Sequence, residues 1–441
     1  KQYNLEQLLI ERTEELITER EKREAYLGTI MPKSSADEMM SKGKAAKVKY
    51  NFVTVLFSDI QGFTKIAEEM NPEVLIDELD KFFFTFDSVV EKYGIEKIKT
   101  IGDAYMCAGG IPEKNRTNPV EVVMAALEMR AYMDRLKKSS ELEGMKYWDI
   151  RIGIHTGTVI AGVVGQRKLT YDIWGDTVNT ASRMESSGEA GKINISGTTY
   201  EFVKDFFSCE YRGKMPVKYK GELEMYFVNG ILPELCDEDG SPNKTFNLRL
   251  QVLKLEDVEE IVLQMFETDQ VTGLSFNNAN MVKSICSQTD LLSRAEKIED
   301  EDFVTLKLAA ILLLTGYIFD YHNPSAESVK TAEDLLPKHG FEKRKVEIVK
   351  NLISNSFSNR IDSVQDRILH DARYDYLGRV DYPDLTEKLR KEISEKGRNY
   401  PDKEWTELQI SLLKEHSFLT ETAKMLRNIQ MEVQVKTFKT E

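Results

Sequence analysis

The sequence is poor in the residues that would staple it covalently or anchor it in a membrane. Of 441 residues only four are cysteine (Cys107, Cys209, Cys236 and Cys286), widely scattered and without a C-x-x-C pair. That excludes a disulfide scaffold and a zinc finger, and it fits a reducing, cytoplasmic setting. No run of 18 or more purely apolar residues occurs, and no signal peptide is recognisable, so no membrane span is expected within the chain. There is no methionine at the start. The chain opens at Lys1 inside a helix-like pattern, as expected of a fragment whose upstream part holds a sensor or membrane segment. Compact Lys/Arg blocks are missing too, and 60 basic against 74 acidic residues leave a net charge of -14. Nucleic acid is therefore not expected as a main partner. A nucleotide such as ATP is not excluded, because its site needs only local positive charge and metal.

Length and a 41% hydrophobic content support two folded units plus connectors. Residues 1–46 begin as a charged helix in which Leu5, Leu9 and Leu16 give a partial heptad seam, and end in a linker; a two-stranded, coiled-coil-like signalling connector is the expectation. From about 47 to 235 strands and helices alternate. Strands are predicted at 50–58, 95–101, 104–110, 149–155, 158–164 and 192–196, with a late pair near 208–213 and 224–231. Helices are predicted at 62–70, 72–93, 118–138, 175–187 and 197–205. This order implies an α+β, ferredoxin-like mixed sheet with helices on one face. The polar, Gly- and Pro-containing stretch 236–246 reads as a linker. Beyond it, 247–441 shows helical periodicity almost throughout, which predicts an all-α domain.

The stretch Asn51–Thr64, NFVTVLFSDIQGFT, reads as a buried strand, a carboxylate at its end (Asp59), and a glycine (Gly62) opening a helix. A lone strand-end aspartate commonly caps a helix. Beside helix-start N–H groups it also suits a metal-bound polyphosphate. Asp103 stands 44 residues on, with Gly102 in the turn of a predicted hairpin. Two carboxylates at the ends of neighbouring strands are what two metal ions need for in-line displacement at phosphorus. In LTYDIWGDTVNTASRM (169–184), Asp172 lies on a strand and Asp176 or Thr177 caps the next helix. On that helix Asn179 and Arg183 are four apart and share a face.

FSDIQGFT, EKIKTIGDAYM, GIHTGTVIAGVVG and YDIWGDTVNTASRM together resemble the catalytic domain of class III nucleotidyl cyclases, over roughly 47–231. The related diguanylate cyclases are set aside because their GGDEF-type turn is replaced here by IGDAY. The resemblance implies that Asp59 and Asp103 hold two Mg²⁺ (or Mn²⁺) ions per site, with the Ile60 backbone as a further ligand. It implies that Lys99 and Asp172 contact the base, that Asn179 orients the ribose, and that Arg183 stabilises the pentacovalent phosphorus. Gly62, Phe63 and Thr64 would meet the phosphates, as would Lys218, with Lys220 a close competitor. A lysine only donates and a carboxylate only accepts, so the Lys99/Asp172 pair complements adenine N1 and its 6-amino group, whereas guanine reverses both polarities. Guanylate cyclases of the family carry Glu and Cys at these two places. The expected activity is conversion of ATP to cyclic AMP and pyrophosphate; the alternatives are a guanylate or relaxed-specificity cyclase, or a catalytically silent nucleotide-binding scaffold. In this family the site lies between two catalytic domains. One copy of the domain carrying all six residues therefore implies a homodimer with two equivalent sites. His155, within GIHTG, is read as a structural strand histidine rather than a general base.

The helical region resembles the HD superfamily around His370-Asp371. Where that family has its metal-binding His-Asp pair this chain has Leu313-Leu314, and Met281 stands where a first histidine is expected. Asp371 then matches the late aspartate and His370 is incidental. Only His322, His339 and His416 remain besides, so a degenerate, metal-free bundle is expected.

Overall fold

A computed structural model describes residues 2–142, 148–165, 168–217, 221–268 and 271–440. The chain divides into two compact units, 1–246 and 247–441.

The first unit opens with α1 (Gln2–Gly28) and α2 (Lys33–Lys42), the latter closed by Gly43 in the left-handed conformation. The elements that follow are β1 (Val48–Ile60), α3 (Phe63–Glu69), α4 (Pro72–Lys92), β2 (Glu96–Ile101), β3 (Ala104–Gly109), α5 (Asn118–Leu142), β4 (Ile150–Val164), β5 (Thr170–Trp174), α6 (Asp176–Ser186), β6 (Ile193–Ser196), α7 (Gly197–Val203), β7 (Phe207–Val217) and β8 (Gly221–Ile231). Local chemistry accounts for several boundaries. The Asn71 side chain caps α4 by accepting from Glu73 N–H, with Pro72 at the first helical position, and Ser196 caps α7 through Thr199 N–H. The sheet order is β2-β3-β1-β4-β6-β8-β7, with β5 paired to β4 off this path; among the described residues only β4 and β6 run parallel.

Three expectations change. Residues 150–164 form one continuous strand rather than two, because Gly157 keeps extended geometry and its bare Cα accommodates Thr177 of α6. The helices cover both faces of the sheet, not one. Thr54 of β1 hydrogen-bonds to Asn118 of α5 and pairs with Thr156, which in turn meets Thr199 of α7. The alternate residues Val53, Val55 and Phe57 point the other way and pack with Ala36 of α2 and Ala181 of α6. Both faces of β1 are apolar, so each needs a cover. Finally, neither Asp176 nor Thr177 caps α6: Gly175 occupies the cap position with no side-chain bond, and the Thr177 hydroxyl donates to the Thr158 carbonyl instead. α6 lies directly on β4, since a Cβ at Gly153 would overlap the backbone of Met184 and Glu185. His155 is buried in β4 with Nδ1 2.7 Å from Ser196 Oγ, a structural position. The side chains of Leu5 and Leu9 lie outside the described residues, while Leu16 is exposed.

The second unit is helical: α8 (Lys244–Phe266), α9 (Ala279–Ala295), α10 (Asp300–Leu312), α11 (Gly316–Phe319), α12 (Pro324–Leu335), α13 (Lys343–Ser358), α14 (Val364–Tyr374), α15 (Tyr382–Glu395), α16 (Asp402–Glu415) and α17 (Glu421–Thr440). Residues Asp300–Phe319, with a mean hydropathy of 1.7, are long and apolar enough to cross a membrane, yet 72% of that window is buried inside the protein as the core of this bundle. Leu313, Leu314 and Met281 are core residues. Asp371 is buried beneath the start of α17, accepting from Leu419 N–H, Thr420 N–H and Thr420 Oγ1. His370 stacks on His416, ring centroids 5.3 Å apart. The four free cysteines form no disulfide.

Candidate active site

The edge of the first unit gathers the chemistry. β1 delivers Asp59 at its C-terminal end, and the tight β2–β3 turn, with Gly102 at φ +63°, places Asp103 beside it. Asp59, Ile60 and Asp103 open on one small cleft with Phe82, Phe83 and Phe86. Burial, and then the negative charge of Asp59, push the Asp103 carboxyl up to about 6. Two neighbouring hard oxygen donors suit Mg²⁺ or Mn²⁺, which bind through one or two carboxylates and keep waters for a phosphate to displace. Next to them Gly62, in the left-handed region at φ +74°, starts α3, whose first-turn amides at Phe63 and Thr64 have no intrahelical acceptor. Asp59 therefore leaves the capping position to a glycine.

One cation beside this site was not anticipated. Antiparallel pairing of β1 with β4 sets Arg151 opposite Asp59. Its guanidinium nitrogen Nη2 lies 2.8 Å from Asp59 Oδ2 and 2.9 Å from Glu185 Oε1 of α6. Glu185 is pushed up to about 7 by burial, against the pull of Arg151. The signal for Arg151 was a basic residue just before GIHTG; its relevance rests on a strand register that spans 92 residues.

The two base-contacting candidates meet. Lys99 Nζ is 2.5 Å from Asp172 Oδ2, joining β2 to β5, and Asp172 Oδ1 accepts from the Ile173 N–H, which orients the carboxylate. Asn179 and Arg183 lie one turn apart on α6. Neither hydrogen-bonds to Asp59, Asp103, Lys99 or Asp172 within the protomer, among the described residues. Lys218 and its competitor Lys220 lie outside the described residues. The arrangement holds an acidic, metal-suited corner and a donor–acceptor pair fit for a purine edge, which defines a nucleotide-processing α+β domain.

Residues 45–230 match the family described as the adenylate and guanylate cyclase catalytic domain, and this segment of the chain is a domain of that family. Atrial natriuretic peptide receptor 2 of Rattus norvegicus is 38% identical over 235 residues, 52% of this chain but 22% of the receptor. Guanylyl cyclase C of Homo sapiens is 33% identical over 285 residues, 64% of this chain and 26% of that protein. The chain thus matches about a quarter or less of the length of these relatives. Among solved structures, the adenylyl cyclase CyaB from P. aeruginosa is 33% identical, covering 43% of this chain and 100% of that one with a TM-score of 0.41. The guanylate cyclase domain from Catenaria anguillulae in complex with GTP is 36% identical, with 42% and 100% covered and a TM-score of 0.40.

Proposed function

We propose that this chain is an adenylate cyclase, converting ATP to 3′,5′-cyclic AMP and pyrophosphate at two equivalent sites in a homodimer. The observation that carries the base choice is the Lys99–Asp172 contact at 2.5 Å. Held together, an ammonium and a carboxylate present one donor and one acceptor side by side, matching adenine N1 and its 6-amino group. Guanine would set its N1–H against the lysine and its O6 against the carboxylate, a costly mismatch in a half-buried site. The amides of Phe63 and Thr64 take phosphate oxygens at the start of α3, and Lys218 is assigned to the same phosphates. Asn179 orients the ribose so that its 3′-hydroxyl lies in line with the α-phosphorus. Arg183 offsets charge gathering on the α-phosphate as the pyrophosphate departs. Asp59 and Asp103, with the Ile60 backbone, would hold the divalent ions, whose Lewis acidity activates the 3′-hydroxyl and supports the leaving group. Because Asn179 and Arg183 do not touch the aspartates of their own protomer, the complete constellation is assigned to two copies. Control is assigned to α1, paired with its twin and driven by an upstream sensor, and 247–441 is read as an HD-like bundle without catalysis of its own.

The specific observation that favours the guanylate reading is that several of the curated relatives are guanylyl cyclases by name. Turnover of ATP and GTP by the full chain, in Mg²⁺ and in Mn²⁺, separates the two. Cyclic AMP with little cyclic GMP is expected, and Lys99→Glu with Asp172→Cys should reverse the ratio of kcat/KM values by about a hundredfold or more. Dominant cyclic GMP from the unaltered chain would overturn the adenylate assignment.

A further inference from the structure

Glu185 has no part in the chemistry just described, yet it faces it. α6 reaches the metal corner because Gly153 lets its backbone lie on β4, and this brings Glu185 to the same guanidinium that Asp59 holds. One nitrogen, Nη2, hydrogen-bonds to Asp59 Oδ2 and lies within ion-pair distance of Glu185 Oε1, while Arg151 Nε and Glu185 Oε1 are both buried with no hydrogen-bond partner. The arginine is thus incompletely satisfied where it lies. Glu185 exposes only 10% of its side chain, against 24% for Asp59, so water competes far less for it. A divalent cation on Asp59 would repel a guanidinium bound to the same carboxylate. A second carboxylate that does not reach the metal gives that guanidinium somewhere to go.

We propose that Glu185 is a positioning residue: it competes with Asp59 for Arg151 and so releases the Asp59 carboxylate to take a divalent cation. The inference rests on the cyclase reading, in which Asp59 and Asp103 are the metal ligands. Arg151 acts as a resident counter-ion that keeps the acidic corner neutralised before metal arrives. Rotation toward Glu185 would satisfy Nε and clear the corner in one movement. Cation affinity is then set by the balance between two carboxylates for one guanidinium, not by the aspartates alone.

The test is Mn²⁺ binding to the full chain without nucleotide, followed by the electron paramagnetic resonance signal of free Mn²⁺. Near-ultraviolet circular dichroism verifies that each variant is folded. Glu185→Gln, which is isosteric, should weaken Mn²⁺ binding about tenfold, within the range seen for coupled neighbours. Glu185→Asp, which keeps the charge but shortens the reach, should weaken it in the same direction. Arg151→Met should tighten binding, and in that background Glu185→Gln should change it by less than about twofold. Equal effects of Glu185→Gln with and without Arg151 would make Glu185 a plain background charge and overturn the proposal. So would wild-type affinity in Glu185→Gln. Mn²⁺ binding that survives unchanged in Asp59→Ala, or no binding by the unaltered chain, would instead sink the metal assignment on which the proposal stands.

Discussion

Both units bury carboxylates, and they use them in opposite ways. In the helical unit both oxygens of Asp371 are met by the chain itself: two backbone N–H groups and a threonine hydroxyl at the start of α17. Asp375 is likewise clasped by Arg427, and Glu392 accepts from the Phe276 and Asn277 amides. In the cyclase unit Asp59 and Asp103 line a small cleft, repel each other, and have beside Asp59 an arginine already shared with Glu185. A carboxylate fully bonded to its own backbone holds a fold together. A pair left under-satisfied at an opening is held in readiness for something else.

That contrast can be broken experimentally. The largest effect should follow Asp103→Ala, which removes a proposed metal ligand and releases its repulsion of Asp59: turnover should fall about a thousandfold or more, with little change in thermal unfolding. An unfolded variant with the same loss would place Asp103 among the structural acids instead. Next, Asp371→Ala should cost the helical unit about 2–4 kcal/mol, because three donors lose their acceptor at once. Calorimetric unfolding would register this as a lowered Tm, and an unmoved transition would break the comparison from the other side.

A subtler difference lies in pH. In its proposed role Asp103 must be ionised to bind metal, and its carboxyl is raised to about 6, so kcat/KM at subsaturating Mg²⁺ should fall as pH drops through about 6 rather than 4. Added metal favours the ionised form and should move that limb to lower pH; a limb indifferent to metal would count against the assignment. The smallest effect is expected at His416. Burial, and then the neighbouring His370, lower it from 6.5 to about 4. The unfolded chain therefore takes up the proton first, and stability present above pH 6.5 is lost as pH falls toward 4. His416→Phe should flatten that dependence in thermal melts over this window.

Much of this was legible from residues alone where the signal was local. The helix predicted at 72–93 is α4, the IGDAY turn announced the β2–β3 hairpin, and the four-residue step from Asn179 to Arg183 fixed their common face. Local signals failed where two elements compete for one position. Asp176 and Thr177 both looked like caps, yet α6 is pressed so close to β4 that Thr177 bonds to a strand carbonyl instead. The joining of 149–155 and 158–164 into one strand was likewise hidden, because a glycine between apolar runs ordinarily marks a turn.

What the sequence determined by itself was the set of chemical groups, their order, and their family, since these follow from residue types at short spacing. Only the tertiary structure decided that Lys99 and Asp172 touch across 73 residues, and that Arg151 lies between Asp59 and Glu185. Strand register and helix-on-sheet packing set those meetings. Both depend on the burial of whole faces, which no short stretch of sequence carries.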